Sequence, residues 1–254
     1  MYIYNHKETT MQAVILAAGR GQRIREHHTM PKGFIKINDT PLIIYSLEIL
    51  RSYGIDDITL ITGYQNECYD QLAQKTGWFK TLYNPEFATY GNLYSFYVAK
   101  QIINQDILLV ESDIIYEPKA IKILLEASEQ DVILVSTPSG SNDEVYVETQ
   151  ENILTTMSKQ RHALNLTNIL GEFVGLTRLS LAASTALLDL CEADTQLCQQ
   201  GHYDEDGLVR LSTRIPLSCH LAKDLKWSEI DNLTQLKRAQ LLFPHSPLSI
   251  GAST

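Results

Sequence analysis

Met11-Gln12-Ala13-Val14-Ile15-Leu16-Ala17-Ala18-Gly19-Arg20-Gly21-Gln22-Arg23, followed after a short gap by Pro31-Lys32-Gly33, decides how the rest of the chain is read. The apolar run over 12–18 predicts a strand buried on both faces. Where it breaks into the glycine-rich turn, several backbone N–H groups lose their partners, and Arg20, Arg23 and Lys32 add positive charge close behind. That combination is a cradle for a polyphosphate. Gly19 and Gly21 would also serve a tight turn in any α/β protein. A dinucleotide fingerprint would need a third small residue where Ile24 stands, and no Gly-Lys-Ser/Thr triplet closes a nucleoside-triphosphatase loop. A different nucleotide site is implied.

Working outward, residues 57–62, 107–112 and 131–136 repeat the buried-strand texture of 12–18. Helical stretches fall between them. Thr40-Pro41 reads as an N-cap and first helical position, Leu42, Tyr45, Ile49, Leu50 and Tyr53 keep helical spacing, and Gly54 stops the helix. Glu117-Pro118 opens another helix through about Ser128. This alternation predicts an α/β fold with a mostly parallel sheet. From Ser139 the pattern changes to short β-like pieces at 145–148, 153–156 and 172–176, then helices over 180–191 and 204–213. Two strands at 216–222 and 225–229 precede a final helix over 232–242. The expected division is a domain over 1–243, with 11–138 binding nucleotide and 139–243 forming an acceptor wall. Residues 244–254 read as a flexible tail or linker stub.

A chain of 254 residues with 44% hydrophobic residues can bury a full core. Its net charge of −9 argues against broad contact with nucleic acid, so any phosphate must meet a local basic pocket. Cys68, Cys191, Cys198 and Cys219 show no Cys-x-x-Cys pairing and read as free thiols. Residues 1–10 lack an apolar signal core and no run of about 18 apolar residues occurs, so a cytoplasmic protein without membrane contact is expected. Nothing in the sequence decides between a monomer and a homodimer.

The pattern L-A-A-G-x-G-x-R followed by P-K-G resembles the nucleotidyltransferases, which join a nucleoside triphosphate to a small phosphorylated acceptor. Asn84-Pro85-Glu86-Phe87 with Gly91-Asn92-Leu93-Tyr94-Ser95, Glu111-Ser112-Asp113, Met157-Ser158-Lys159 and Trp227-Ser228-Glu229-Ile230-Asp231 look like successive landmarks of the cytidylyltransferase branch. The likeness covers roughly residues 11–240. It implies a Rossmann-like sheet of the nucleotidyltransferase type with a smaller β-rich acceptor-binding region, CTP as co-substrate, and one or two Mg²⁺ ions. Two relatives compete within the branch. The segments 139–148, 110–117 and 171–175 look like 2-aminoethylphosphonate cytidylyltransferases, whereas Asn92-Leu93-Tyr94-Ser95-Phe96-Tyr97 is similar to phosphocholine cytidylyltransferases.

By this resemblance, Leu16, Ala17, Ala18, Gly19, Arg20, Gly21, Gly91, Asn92 and Ser112 bind the nucleotide, and Arg23 meets the triphosphate. Lys32 contacts the phosphates being rearranged, and Lys159 binds the acceptor's phosphoryl group. Asp113 stands at the carboxyl end of a strand, where open parallel sheets place ligand-binding residues. The resemblance makes it a Mg²⁺ ligand together with Asp231, with Glu229 two residues earlier on the same strand face. Asp113 also reads as an acid before the Pro118 helix, and Asp231 as the N-cap of the last helix. For the cationic end of an acceptor, Tyr203-Asp204-Glu205-Asp206 offers an aromatic followed by three acids, with Tyr146, Glu144 and Glu172 edging the same pocket. The same acids also read as a solvated helix start, with Asp204 as its cap. A quaternary choline head wants aromatic faces, and a primary ammonium wants hydrogen-bond acceptors, which this half supplies more freely.

The expected chemistry is in-line attack of the acceptor's oxygen on the α-phosphorus of CTP with loss of pyrophosphate. The acceptor's last pKa is about 6, so no general base is required and the histidines are dispensable. A sugar-1-phosphate nucleotidyltransferase would share the loop, lysine and carboxylates but need hydroxyl-binding groups. A nucleotide-sensing module would keep the loop without turnover.

Overall fold

The computed structural model describes residues 11–24, 28–199 and 203–244. In chain order its strands and helices are β1 (Met11–Ala17), β2 (Lys36–Ile37), β3 (Thr40–Pro41), α1 (Leu42–Ser52), β4 (Ile58–Thr62), α2 (Asn66–Thr76), β5 (Lys80–Tyr83) and α3 (Asn92–Val98). There follow β6 (Asp106–Glu111), β7 (Ile114–Tyr116), α4 (Lys119–Glu126), β8 (Val132–Ser136), β9 (Tyr146–Gln150), β10 (Ile153–Ser158) and β11 (Ile169–Leu179). The chain then forms α5 (Leu181–Ala193), α6 (Thr195–Gln199), α7 (Asp204–Ser212), β12 (Ser218–Ala222), β13 (Trp227–Glu229) and α8 (Leu233–Leu242).

One sheet of nine strands, in the order β5-β4-β1-β6-β11-β8-β12-β10-β9, divides the core into two layers. Side chains alternate across β1: Ala13, Ile15 and Ala17 join the layer of α1 and α4, whereas Val14 and Leu16 join the layer of α3, α5 and α7. Burial on both faces is why β1, β4, β6 and β8 read as unbroken apolar runs. A third, smaller cluster joins Ile24, Ile35, Ile37 and Tyr45 to Ile230 and Phe243, tying the phosphate-loop side to α8.

The sheet is parallel from β5 through β4 and β1 to β6, as the alternation predicts. Beyond β6 it is mixed. The eleven-residue β11 runs antiparallel between β6 and β8, so residues from the second half of the chain complete the sheet of the first. Only 172–176 of this strand is legible as a strand in the sequence, because Gly171 and Gly175 interrupt its apolar run. Both are required by close approach: a Cβ on Gly171 would stand 2.1 Å from the Ser136 carbonyl oxygen, and Gly175 has φ +82° at the register shift between Phe173 and Thr177.

Two helix starts differ from expectation. Thr40 does not cap α1; with Pro41 it pairs against Lys36 and Ile37 as a two-residue strand, and α1 begins at Leu42. The final helix is capped by Asn232, whose side chain accepts from the Thr234 and Gln235 amides, so Asp231 is free of that task. The expected tail falls mostly outside the described residues, as does the expectation for residues 1–10. Among the described residues no helix is long and apolar enough to cross a membrane.

Gly171→Ala is expected to lower unfolding stability by about 1–3 kcal/mol through overpacking against backbone. A urea denaturation midpoint unchanged from the parent would show that β11 does not pack against β8 this closely.

Candidate active site

The strand β1 ends by accepting the Ser112 amide at Leu16 O and the Tyr64 amide at Ala18 O. The chain then turns through Gly21, with φ +58°; a Cβ there would stand 2.7 Å from Lys32 Cγ. Glycine at this position permits both the left-handed backbone and the passage of the Lys32 stem across the turn. On the opposite side, β7 and β13 form a two-stranded antiparallel ribbon that pairs Glu229 with Ile114, and the Ile230 amide donates to Asp113 O at 2.9 Å. This ribbon brings Asp113, Glu229 and Asp231 together from positions far apart in sequence. It is fastened to the sheet by Trp227, whose indole donates to Ser136 Oγ at 2.7 Å.

The result is a cleft of about 340 Å³ lined by phosphate-turn, ribbon and β11 residues. Within it, charges alternate along a continuous chain. Lys159 bonds Asp143 at 2.9 Å, and Asp143 bonds Arg23 at 2.5 Å. Arg23 and Lys32 both bond Asp231, and Lys32 bonds Asp113 at 2.7 Å. Asp143 lies well placed to be charged: burial alone would raise its pKa, but hydrogen bonds and charge from Arg23 and Lys159 hold it below the usual carboxylate range. For the same reason Arg23 and Lys159 lie above their ordinary values despite the opposing effect of burial.

Other acids behave oppositely. Burial, then the nearby charge of Asp113, pushes Glu229 up to about 7 against the pull of Lys32 and Lys159. Burial raises Glu172 to about 7 even though the Ser139 amide and hydroxyl both donate to it, at 2.6 and 3.1 Å. Asp204 rises to about 6, with burial outweighing a hydrogen bond from Asn92. Glu111 and Glu205 are pushed well above the usual range by burial and then by neighbouring acids.

Of the residues singled out in the sequence, Leu16, Ala17, Gly19, Gly21, Arg23, Lys32, Asn92, Ser112, Asp113, Lys159, Glu172, Tyr203, Glu229 and Asp231 line this cleft. Others lie elsewhere. Arg20 turns outward with its guanidinium 5.6 Å above the Phe87 ring, and Ala18 is buried behind the turn. Gly91 sits at the N-cap of α3. Glu144 hydrogen-bonds Tyr146, whose ring lies under the Arg161 guanidinium at 5.5 Å, and neither residue reaches the cleft wall. Asp204 is buried just behind Glu205. Glu205, one of the three acids after Tyr203, also lines the cleft, whereas Asp143 and Glu111 were not distinguished by sequence as site residues. Glu111 alone had a usable signal, since it shares a strand face with Ile107 and Leu109 yet is charged. Among the described residues no histidine lines the cleft.

One oxygen from each of Asp113, Glu229 and Asp231 lies within 4.8 Å of the others. An all-oxygen donor set of this kind fits a hard divalent cation that takes one or two carboxylates and completes its shell with phosphate oxygens and water.

A family model for the MobA-like NTP transferase domain matches residues 13–202. Choline-phosphate cytidylyltransferase of Streptococcus pneumoniae is 42% identical over 92 residues, covering 36% of this chain and 40% of that protein. CMP-5'-(3-aminopropyl)phosphonate synthase of Streptomyces rubellomurinus is 28% identical over 250 residues, covering 92% of this chain and 39% of that protein. The chain thus spans less than half the length of these curated relatives. Among solved structures, the inositol-1-phosphate CTP transferase from T. maritima shares the fold, with a TM-score of 0.76 at 19% identity over 91% of this chain and 94% of that one. The chain belongs to the MobA-like NTP transferase domain family.

Proposed function

We propose that this protein transfers CMP from CTP to a small acceptor that carries a phosphonate or phosphate at one end and a cation at the other, with 2-aminoethylphosphonate as the preferred acceptor. The observation that carries this reading is the chain of alternating charges from Lys159 through Arg23 to Lys32 in one cleft. Three basic side chains converge where a triphosphate and an acceptor oxyanion would meet, and the carboxylates now paired with them keep those side chains ordered until phosphate replaces them.

In this reading residues 11–138 supply the nucleotide half and 139–243 the acceptor half. Backbone amides of the Gly19–Gly21 turn and Arg23 hold the triphosphate. Lys159 holds the acceptor's phosphoryl group, and Lys32 faces the α-phosphorus. An acceptor oxygen forms a bond to that phosphorus while the bond to the bridging oxygen of the β-phosphate breaks, and pyrophosphate leaves in line with the attack. No proton must be removed, because the oxyanion is already ionised near neutrality. Asp113, Asp231 and Glu229 would hold Mg²⁺, which when bound neutralises charge on the triphosphate oxygens. Positioning and electrostatics then do the catalysis.

Acceptor choice is supported by two observations. The cleft carries Glu172, Glu111 and Glu205, whereas Tyr90, Tyr94 and Tyr97, which would complete an aromatic cage for choline, stack on one another outside its lining. Similarity to the aminopropylphosphonate synthase extends over 92% of this chain. Four free cysteines fit a reducing compartment such as the cytoplasm.

Pyrophosphate release should be fastest with CTP and 2-aminoethylphosphonate when CTP, ATP, GTP and UTP are each tested against that acceptor, phosphocholine and glucose-1-phosphate. Release with none of these pairs would favour a nucleotide-sensing module. Lys32→Ala should lower kcat about 10²–10³-fold with a smaller change in acceptor KM; the reverse pattern would move Lys32 out of the reacting centre. Asp113→Ala or addition of a chelator should abolish release, with Mg²⁺ restoring the chelated parent, and full activity in either case would remove the metal.

Glu172 supplies a pH test. Its folded value of about 7 lies above the unfolded value, so its contribution to stability is complete below about 4.3 and is lost as pH rises through 7. Glu172→Gln can accept from the Ser139 amide and donate to its hydroxyl. Between pH 5 and pH 8 the parent should lose stability relative to this variant, on the order of 2–3 kcal/mol at full ionisation. Parallel stability curves for the two proteins would contradict a buried, protonated Glu172.

A further inference from the structure

Glu111 at the end of β6 and Asp204 and Glu205 at the start of α7 form a second group of carboxylates, with one oxygen of each within 4.8 Å of the others. Asp204 is 1% exposed and its Oδ1 is buried without a donor, as is Oε2 of Glu205. Among the described residues no lysine or arginine pairs with any of the three. The backbone makes room for them: at Gly175 a Cβ would stand 2.5 Å from Glu111 Oε2, and the strand carries no side chain there. Asn92 and backbone amides serve part of this group, yet Oδ1 of Asp204 and Oε2 of Glu205 keep no donor, and buried acceptors are costly to leave unmatched. The complementary ligand is a cation rich in N–H groups. A primary ammonium presents three donors and no acceptor, so it can satisfy one oxygen from each carboxylate. A trimethylated nitrogen has no N–H to offer. Magnesium completes its shell with phosphate oxygens, and the side chains suited to bring phosphate, Arg23 and Lys32, bond Asp231 and Asp113 rather than this trio. Glu111 and Glu205 open onto the same cleft as Lys159, and the Lys159 charge is felt at Glu205.

We propose that Glu111, Asp204 and Glu205 are the seat of the acceptor's primary ammonium and set the preference for short aminoalkyl phosphonates over trimethylated acceptors. This rests on the transfer reading above, in which Lys159 holds the other end of the same molecule.

The test compares 2-aminoethylphosphonate, ethylphosphonate and phosphocholine as acceptors with CTP, in the parent, Glu111→Gln, Glu205→Gln and Asp204→Asn. Calorimetric titration of 2-aminoethylphosphonate and of Mg²⁺ alone accompanies the kinetics. In Glu111→Gln and Glu205→Gln the ratio of kcat/KM for aminoethylphosphonate to that for ethylphosphonate should fall about tenfold or more. Asp204→Asn, the most conservative in shape, should shift it in the same direction and guards against misfolding of the others. A ratio that stays at the parent value in all three variants, a parent that prefers phosphocholine, or loss of Mg²⁺ binding in these variants while Asp113→Ala retains it would overturn the proposal. If the parent turns over none of the acceptors, the transfer reading fails. The seat then stands if the parent binds 2-aminoethylphosphonate and the variants bind it about tenfold more weakly, and falls if they bind it equally or the parent does not bind it.

Discussion

Asp231 is 2% exposed and accepts from both Lys32 and Arg23. A carboxylate buried this far is tolerated only when its charge is matched, and removing either partner would leave an uncompensated charge in a poorly solvated place. The match is made across 208 residues for Arg23 and 199 for Lys32: the two bases flank the first loop, whereas Asp231 follows the last strand. The ion pairs therefore require the phosphate turn, the β7–β13 ribbon and α8 to be in place together. Asn232 takes over the capping of α8, which leaves Asp231 to face the cleft.

The cleft holds an excess of acid over base even though its chemistry calls for polyanions. Asp143 is held below the usual carboxylate range by the bases it touches, while Glu172, Glu229 and Asp204 are pushed toward neutrality by burial. This division of labour among carboxylates follows from distance to Arg23, Lys32 and Lys159.

Much of the first half of the chain was legible because its strands are buried on both faces and its turn must use glycine. The apolar runs of β1, β4, β6 and β8 announce themselves, and Gly21, Arg23 and Lys32 stand where the turn places them. The second half was harder to read. Its key strand, β11, is broken in sequence by Gly171 and Gly175, which exist because a neighbouring carbonyl and the Glu111 carboxylate occupy the space of their side chains. Asp143 lies in a loop with no periodicity to set it apart, and its pairing with Arg23 spans positions no local pattern connects. Tyr146 and Glu144 looked suited to an acceptor pocket by composition but are engaged with each other and with Arg161, a tertiary fact without a sequence signature.

The two-stranded ribbon lies outside the main sheet, yet it carries the acids that face the phosphate turn. The Trp227 indole on Ser136 fastens it to the sheet, and the Ile230 amide on the Asp113 carbonyl carries the pairing of its own two strands out to the acids. Such a strip works as a caliper. The nine-stranded slab fixes one jaw, the strip fixes the other, and the Trp227 indole, seated on Ser136, gauges the gap between them.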